Sequence, residues 1–390
     1  MKILIVHNRY RSALPSGENT VVDGDVAMLR SAGVDVETYI RNSDEIAQFG
    51  LAERFQLATR PIYSIEDTRK FKTRIQSLKP DIVHLHNVYP LISPGVIRVA
   101  KAEGIPVVQT VHNYRFVCAN GIYFRNGSVC QDCLGKRVPW PAVAHGCYRG
   151  SRTESAIIAS SLAIHRSTWQ MVDRFIAISD LVAEQLEIAG VSPNKIAVKR
   201  NTSPDPGKPG PIGTGFLFVG RLEIEKGINL LLEAWGQSGL GKETTLTVAG
   251  DGAEKSAVQH AARSDSSILF LGAVPAYRVG RLLDNCAVSI VPSLWLEAFP
   301  LATIESFARG RPVISVRSGS NEIVVSDEVG WVSPATAPEL AETMQRAFAD
   351  TEGVRARGAA ARKLYELAYL PEKVVRSLLE IYMDLSHDEN

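Results

Sequence analysis

Short apolar runs alternate with longer amphipathic stretches along almost the whole chain. Residues 3–6 and 287–291 are nearly continuously apolar, which is typical of strands buried on both faces of a parallel sheet. Each such run is followed by a segment whose apolar residues recur every three or four positions, as Val22, Val26 and Leu29 do. A strand regularly followed by a helix predicts an α/β fold built from doubly wound parallel sheets.

The pattern pauses at residues 201–215 and then restarts. This segment holds four prolines and four glycines, a composition typical of a link between domains. A chain of 390 residues also exceeds what one hydrophobic core normally serves. We therefore predict one Rossmann-like domain over residues 1–203 and a second over 204–370. A C-terminal helix over 371–390 is expected to pack back toward the first domain.

Composition narrows the classes of function. Hydrophobic residues make up 45% of the chain and charged residues 22%, as in ordinary globular proteins. A net charge of +1 gives no general basis for binding nucleic acid. There is no apolar run of about eighteen residues, so no membrane-spanning helix is predicted. Residues 1–6 are too short for a signal peptide and read as a first strand, so we expect a cytosolic protein.

One predicted helix, over residues 64–79, carries a basic face. Its cations are Arg69, Lys70, Lys72, Arg74 and Lys79. A solvated helix face is the simpler interpretation. The alternative is contact with anionic lipid, which would place the protein peripherally at the inner face of a membrane.

Four cysteines stand in a segment with almost no apolar periodicity, residues 114–150. Their spacing is C-x11-C-x2-C-x13-C, formed by Cys118, Cys130, Cys133 and Cys147. A C-x2-C pair with two further thiols fits a tetrahedral structural zinc, with His145 as a substitute for Cys147. Unliganded thiols are the next interpretation, and a disulfide is the least expected in a reducing cytosol. Cys286 lies in a strand context and is expected in the core.

Two carboxylates follow the strand predicted at residues 287–291. Glu297 lies in the loop after it, and Glu305 lies about one turn into the next helix, which Pro300 introduces. The carboxyl edge of an open parallel sheet is where such folds bind ligands. Taken alone, each carboxylate would more often be an ordinary exposed glutamate.

Two cations follow another predicted strand, residues 216–220. Arg221 and Lys226 come just before a helix, and the neighbouring Gly220 and Gly227 allow backbone to approach closely. Cations at a helix start suit a diphosphate. Combined with the carboxylates, this predicts a nucleoside-diphosphate sugar with its diphosphate on the cations, its ribose on Glu305 and its sugar on Glu297.

Several motifs together resemble the family 4 retaining glycosyltransferases of the GT-B fold. In the second half they are the Gly-Arg-Leu-x-x-x-Lys-Gly run at 220–227, Gly-Asp-Gly at 250–252, Val-Pro-Ser at 291–293, Glu-x-Phe-Pro-Leu-x-x-x-Glu at 297–305 and Gly-x-Pro-Val at 310–313. In the first half, residues 81–86 and 110–113 match the family more loosely. The resemblance implies two Rossmann-like domains that face a central cleft, the first binding the acceptor and the second the donor.

The resemblance also implies roles for individual residues. His112 would lie near the donor sugar and the reaction centre, and Glu297 would bind the sugar ring. Arg221 and Lys226 would neutralise the leaving diphosphate. The wider donor site would include Gly17, Gly220, Gly272, Val274, Phe299, Pro300, Leu301 and Glu305. Gly17 would lie in a loop over the phosphates, and the base near 272–274.

The same resemblance implies retention of anomeric configuration and no catalytic metal, with the two cations acting in place of a divalent ion. The acceptor is expected to be a saccharide or a lipid-linked saccharide, with the cysteine-rich insert on the acceptor side. One departure concerns the first loop, which reads Pro-Ser-Gly-Glu at 15–18 where many members have a double glycine.

Two other functions remain open from the sequence. A sugar-nucleotide epimerase on the same fold would need acid–base carboxylates in the first domain, and the sequence shows His112 there without a clear pair. A sugar-nucleotide binding protein without catalysis is the other alternative. A phosphorylase is disfavoured because no lysine context for its cofactor is recognisable.

Overall fold

The computed structural model describes residues 1–12, 16–50 and 59–387. Contacts divide the chain into two compact units. The first unit comprises Met1–Tyr123, Cys130–Arg200 and the C-terminal segment from Val374. The second comprises Phe124–Val129 and Asn201–Lys373. The boundary near residue 200 falls at the proline- and glycine-rich segment.

The strands alternate with helices almost throughout. In chain order the strands are β1 (Lys2–Arg9), β2 (Asp35–Asn42), β3 (Ile82–Leu85), β4 (Val107–Val111), β5 (Phe124–Arg125), β6 (Ser128–Val129), β7 (Arg174–Ala177), β8 (Ile196–Val198), β9 (Phe216–Val219), β10 (Leu246–Ala249), β11 (Ile268–Gly272), β12 (Val288–Val291), β13 (Val313–Val316) and β14 (Gly330–Ser333).

The α-helices, also in chain order, are α1 (Gly17–Ser31), α2 (Ile65–Leu78), α3 (Gly95–Ala102), α4 (Trp140–His145), α5 (Arg152–Ile164), α6 (Arg166–Trp169), α7 (Asp180–Ile188), α8 (Ile228–Ser238), α9 (Lys255–Ser264), α10 (Ala276–Asn285), α11 (Leu301–Ala308), α12 (Gly319–Val324), α13 (Ala337–Ala349), α14 (Thr351–Ala368) and α15 (Pro371–His387). Several of these helices have a serine N-cap. The side chains of Ser16, Ser64 and Ser179 each accept a hydrogen bond from a backbone amide in the first turn of the helix that follows.

The first unit is built on a six-stranded parallel sheet with the order β2-β1-β3-β4-β7-β8. Chain order reverses direction between β1 and β3, so the sheet has its switch point there. The end of β1 meets the loop after β3, since the Asn8 amide donates to the Asn87 carbonyl at 2.7 Å. The carboxyl edge of β1, β3 and β4 is therefore where a ligand of this unit is expected.

The second unit has a six-stranded sheet with the order β11-β10-β9-β12-β13-β14, also parallel throughout. Its switch point lies between β9 and β12, as in dinucleotide-binding sheets of order 3-2-1-4-5-6. The α/β fold class with two doubly wound parallel sheets, predicted from the alternation of apolar runs and amphipathic stretches, is confirmed.

Each sheet contributes to its own hydrophobic core. In the second unit Trp235 and Leu340 are fully buried beside the strands. In the first unit the core includes Leu378 and Tyr382 from α15, packed with residues of β1, β3 and β4. The apolar stripe of this amphipathic C-terminal helix thus completes the first core. A buried ion pair, Lys199 Nζ to Asp25 at 2.7 and 2.8 Å, lies in the same unit.

Candidate functional site

Two loops of the second unit meet at the switch point of its sheet. The loop after β9 carries Arg221 and Lys226, and the loop after β12 carries Glu297. The strands are neighbours, and the Leu294 amide donates to the Glu225 carbonyl at 2.8 Å, which joins the loops directly. The predicted cations and the first predicted carboxylate therefore come from adjoining segments at one edge of the sheet.

The close packing of these loops depends on glycines. Gly227 has φ +72°, and a Cβ there would lie 1.8 Å from the Pro292 carbonyl oxygen. A Cβ on Gly250 would lie 1.9 Å from the Gly220 carbonyl oxygen. Real side chains cannot approach backbone so closely, so both positions require glycine.

Lys226 and Glu297 form the centre of this cluster. Lys226 Nζ donates to Glu297 Oε1 at 2.8 Å and to Oε2 at 3.0 Å. Trp295 Nε1 also donates to Glu297 Oε2, at 3.0 Å, and the Lys226 ammonium lies 5.0 Å from the centre of the Trp295 ring. Glu297 is only 5% exposed. Two hydrogen bonds from Lys226 and one from the Trp295 indole therefore hold a nearly buried carboxylate in one orientation.

Arg221 lies at the outer side of the same loop. Its guanidinium donates to Glu225 Oε1 at 3.1 Å, and the side chain is 36% exposed. Glu225 lies in a short 3-10 turn, Ile224–Lys226. The sequence analysis did not foresee Glu225, although its position four residues after an arginine is a signal for an ion pair.

Glu305 lies in the second turn of α11 and is half-buried. Burial raises the pKa of Glu305 to about 7, and the nearby Arg309 opposes the shift only partly. Arg309 pairs with Asp284 at 3.1 Å. In the described part of the chain Glu305 has no hydrogen bond to Arg221, Lys226 or Glu297, so the structure does not join it to their network.

The remaining predicted donor residues surround the start of α11 and the end of β11. Phe299 is buried, with its ring centre 6.2 Å from that of Tyr369. Pro300 directly precedes α11 and Leu301 is its first residue. The amides of Leu301 and Thr303 already donate to the Phe299 and Pro300 carbonyls, at 3.1 and 3.0 Å.

The turn after β11 carries the two residues predicted near the base. Gly272 has φ +67°, and its carbonyl accepts from the Gly250 amide at 2.8 Å. Val274 follows two residues later and is half-buried. The hydrogen bond links this turn to the Gly-Asp-Gly turn after β10.

In the first unit, His112 directly follows β4 and contacts a second histidine. His86 Nδ1 and His112 Nε2 lie 2.8 Å apart, and the two rings stack with centres 5.1 Å apart. Burial holds the pKa of both rings well below the usual range for histidine. Both are therefore neutral at pH 7, and one donates the hydrogen bond that joins them.

Two more histidines support this edge. His84 lies between Tyr382 and Thr110, whose hydroxyl oxygens are 2.6 and 2.7 Å from its ring nitrogens. Its ring centre lies 4.4 Å from that of His86. Burial lowers the pKa of His84 to about 3 and that of His7 to about 4. These rings act as neutral hydrogen-bonding groups inside the unit.

Gly17 is the first residue of α1, and Ser16 caps that helix. The preceding loop residues 13–15 lie outside the described residues, so the predicted phosphate loop is described only from Ser16 onward. The structure adds Glu18, which the sequence analysis missed. Its Oε2 accepts from Tyr10 Oη at 3.0 Å and from Asn113 Nδ2 at 3.2 Å, and burial raises its pKa to about 7.

Family models match both halves of the chain. A model described as "Glycosyl transferase 4-like domain" matches residues 16–202, and one described as "Glycosyl transferases group 1" matches residues 213–364. The chain belongs to the family 4-like glycosyltransferases with the GT-B fold. The resemblance noted in the sequence motifs is thereby confirmed.

Individual relatives of this glycosyltransferase are distant. The chain is 30% identical over 195 residues to the putative colanic acid biosynthesis glycosyltransferase WcaL of Salmonella typhimurium. The aligned segment covers 44% of this chain and 47% of that protein. The chain thus spans about half the length of that curated relative.

Solved structures match over the whole length. A sucrose-phosphate synthase from Thermosynechococcus elongatus superposes with a TM-score of 0.75 at 17% identity, covering 99% of each chain. Anabaena HepE in complex with UDP-glucose gives 0.68 at 16% identity, covering 98% of this chain and all of that one. At such low identity these matches establish the fold alone.

The four cysteines of the insert lie in the first unit and form no disulfide. Cys133 and Cys147 belong to one small hydrophobic cluster with Ala142 and Ile158. Burial raises the pKa of Cys133 to about 11, with smaller contributions from the other three cysteines of the insert. Within residues 1–12, 16–50 and 59–387, no three histidine, cysteine or acidic side chains stand close enough to hold a metal ion. The zinc site stays a prediction.

Most of the basic face of α2 is paired with carboxylates. Lys70 lies 2.6 Å from Glu66, and Arg74 lies 2.7 Å from Glu37. Lys72 is 3.6 Å from Glu103. This pairing favours the interpretation that the basic face of α2 is a solvated helix face. Contact of this face with lipid stays a prediction. Among the described helices, none combines the length and hydropathy needed to cross a bilayer.

Proposed function

We propose that this chain is a retaining glycosyltransferase that moves a sugar from a nucleoside-diphosphate sugar to a saccharide or lipid-linked saccharide. The observation that carries the proposal is the cluster at the β9–β12 switch point. There two cations and a nearly buried carboxylate, Arg221, Lys226 and Glu297, come from two adjoining loops. A ligand that is anionic at one end and rich in hydroxyls at the other complements such a site.

Departure of a nucleoside diphosphate builds negative charge on the leaving phosphate. The Lys226 ammonium has three donors, and Glu297 holds it at 2.8 and 3.0 Å, so it is oriented before substrate arrives. Arg221 can leave Glu225 at little cost because that pair is partly exposed. Fixed positive charge at the developing anion lowers the barrier.

Glu297 serves the sugar rather than acting as a nucleophile. Its carboxylate already accepts from Lys226 and Trp295 and has further lone pairs. These can accept from hydroxyl groups of the donor sugar. His112, being neutral, can likewise exchange a hydrogen bond with a hydroxyl without adding charge.

Glu305 is suited to the ribose. A half-buried carboxyl with a pKa raised to about 7 lacks partners for its charged form. Two ribose hydroxyls would supply them. Nucleotide binding should then favour the ionised carboxylate and release a proton near neutral pH.

A thermal-shift screen tests the donor. UDP, GDP, ADP and dTDP, each free and as a hexose conjugate, are added to the full chain at rising concentration. Since HepE was solved with UDP-glucose, that donor is the first to test. A ligand at about 100 times its Kd should stabilise the folded state by about 2.7 kcal/mol. If none of these nucleotides raises the melting temperature, the proposed donor class is wrong.

Product analysis then separates the remaining functions. A transferase releases free nucleoside diphosphate when an acceptor is added, and the anomeric proton of the product reports retention. The epimerase alternative has one observation in its favour, the carboxyl of Glu18 hydrogen-bonded to the neighbour of His112. An epimerase would instead convert the nucleotide sugar without acceptor, and a binding protein would leave it unchanged.

A further inference from the structure

Trp295 contacts both central charged side chains of the candidate site. Its indole Nε1 donates to Glu297 Oε2 at 3.0 Å, and the Lys226 ammonium lies over its ring, 5.0 Å from the ring centre. The nitrogen of the indole therefore serves the carboxylate, while the face of the ring serves the cation. Two different parts of one side chain thus hold two groups of opposite charge.

The surroundings of Trp295 disfavour direct contact with a sugar or a base. The residue is only 7% exposed, and the Lys226 ammonium already lies over its ring. A tryptophan that stacks on a ligand needs an accessible ring face. The structure therefore favours an indirect role, in which Trp295 acts on a ligand through Lys226 and Glu297.

The segment after β13 fixes the backbone on both sides of Trp295. Ser318 Oγ donates to the Ser293 carbonyl at 2.5 Å. Gly319 has φ +52°, and a Cβ there would clash with the backbone amide of Glu297. The main chain is thus held two residues before and two residues after Trp295. The freedom left to the Glu297 carboxylate lies in its side-chain torsions, which its hydrogen bonds restrict.

We propose that Trp295 is a positioning residue that acts on two subsites of the donor site. Its N–H orients Glu297 for the sugar, and its ring holds Lys226 for the diphosphate. The assignment of these subsites to sugar and diphosphate rests on the proposed function. Because different atoms make the two contacts, substitutions separate them. Trp295→Phe keeps an aromatic face and removes the donor, and Trp295→Leu removes both.

The indole N–H of Trp295 gives a readout that needs no ligand. The chain has five tryptophans, and Trp295→Phe identifies its indole signal in a ¹H–¹⁵N spectrum of the full chain. Glu297→Gln replaces the charged acceptor of this N–H with a neutral amide. The Trp295 signal should therefore shift in the direction of a weaker hydrogen bond. The indole signal of Trp331, which lies in the edge strand β14, should stay in place.

Binding measurements then separate the two contacts. UDP, GDP, ADP and dTDP are each compared with their hexose conjugates, and the pair that stabilises the parent is used. Trp295→Phe should weaken binding of the sugar nucleotide about tenfold and leave that of the free nucleoside diphosphate almost unchanged, because the lost hydrogen bond lies on the sugar subsite. Trp295→Leu should weaken binding of both, because Lys226 also loses its aromatic face.

Trp331→Phe is the matched control. Trp331 is also 7% exposed in the second unit, and the Arg357 guanidinium lies 4.5 Å from the centre of its ring. This variant loses the same atoms away from the site, so it should leave both affinities unchanged. The melting temperature of each variant checks its folding.

The proposal is overturned if Glu297→Gln leaves the Trp295 signal in place. It is also overturned if folded Trp295→Phe keeps the parent's ratio of the two affinities. If none of the nucleotides binds the parent, the donor proposal fails, and the spectrum of the ligand-free chain still decides whether Trp295 orients Glu297.

Discussion

Lys226 donates to both carboxylate oxygens of Glu297, at 2.8 and 3.0 Å, across 71 positions of the sequence. The sequence analysis assigned these residues to different parts of one substrate, the cation to the diphosphate and the carboxylate to the sugar. Their direct contact makes the two assignments interdependent. Each side chain orients the other, so a substitution at either one changes both subsites.

Lys226→Ala should destabilise the chain by about 1–3 kcal/mol, because it leaves the nearly buried Glu297 without its cation. The value lies below that of a fully buried pair because Lys226 is partly exposed. Denaturant unfolding measures the change. Lys226→Arg, which keeps the charge, should recover part of it, and adding Glu297→Gln to Lys226→Ala should also restore stability. A folded Lys226→Ala with unchanged stability would contradict the pairing.

Arg221→Ala should affect turnover far more than stability. Its pair with Glu225 is partly exposed, so the loss of stability should be about 0.5 kcal/mol. If the guanidinium stabilises the leaving diphosphate, kcat should fall by about 100-fold or more with the best donor. Lys242→Ala, at an exposed position of the same unit, is the control. Equal turnover in Arg221→Ala and Lys242→Ala would remove Arg221 from the mechanism.

Glu305 predicts how stability depends on pH. Burial raises its pKa from the usual 4.5 to about 7, so between these values the folded chain binds more protons than the unfolded chain. Its contribution to stability is therefore present below about pH 4.5 and is lost as pH rises through 7. Glu305→Gln cannot ionise, so its melting temperature relative to the parent should be higher at pH 8 than at pH 5.

The matched control for that prediction is Glu66→Gln, since the Lys70 hydrogen bond lowers the pKa of this exposed carboxyl instead. Its relative melting temperature should not rise at pH 8. Calorimetry adds a second measurement for Glu305. Nucleotide binding near pH 7 should release a proton in the parent, seen as a heat that varies with buffer ionisation enthalpy, and should release less in Glu305→Gln.

The predicted zinc is tested by metal analysis of the purified chain. If the four thiols of the insert bind zinc, the chain should hold one zinc ion, Cys133→Ser should lose it, and chelation should lower the melting temperature. Cys286→Ser is the control, because Cys286 lies in the core of the other unit. The thiols are unliganded if the chain, purified without chelators, holds no zinc and its melting temperature does not change on chelation.

The architecture could be predicted from the sequence because it follows from local patterns. Buried strands such as β12 are nearly continuous apolar runs in the sequence. The motif glycines were equally readable. Another backbone segment approaches Gly227 and Gly250 so closely that a methyl group on either would clash with it, so both positions require glycine.

The sequence by itself determined the alternation of strands and helices and which loops carry charge, since these depend on neighbours along the chain. Only the tertiary structure decided which side chains meet. Glu18 contacts Asn113 across 95 positions, His86 contacts His112 across 26, and Tyr382 contacts His84 across 298. These contacts depend on sheet order and on where α15 packs. Local periodicity specifies neither, because strands at any position in a buried parallel sheet have the same apolar pattern.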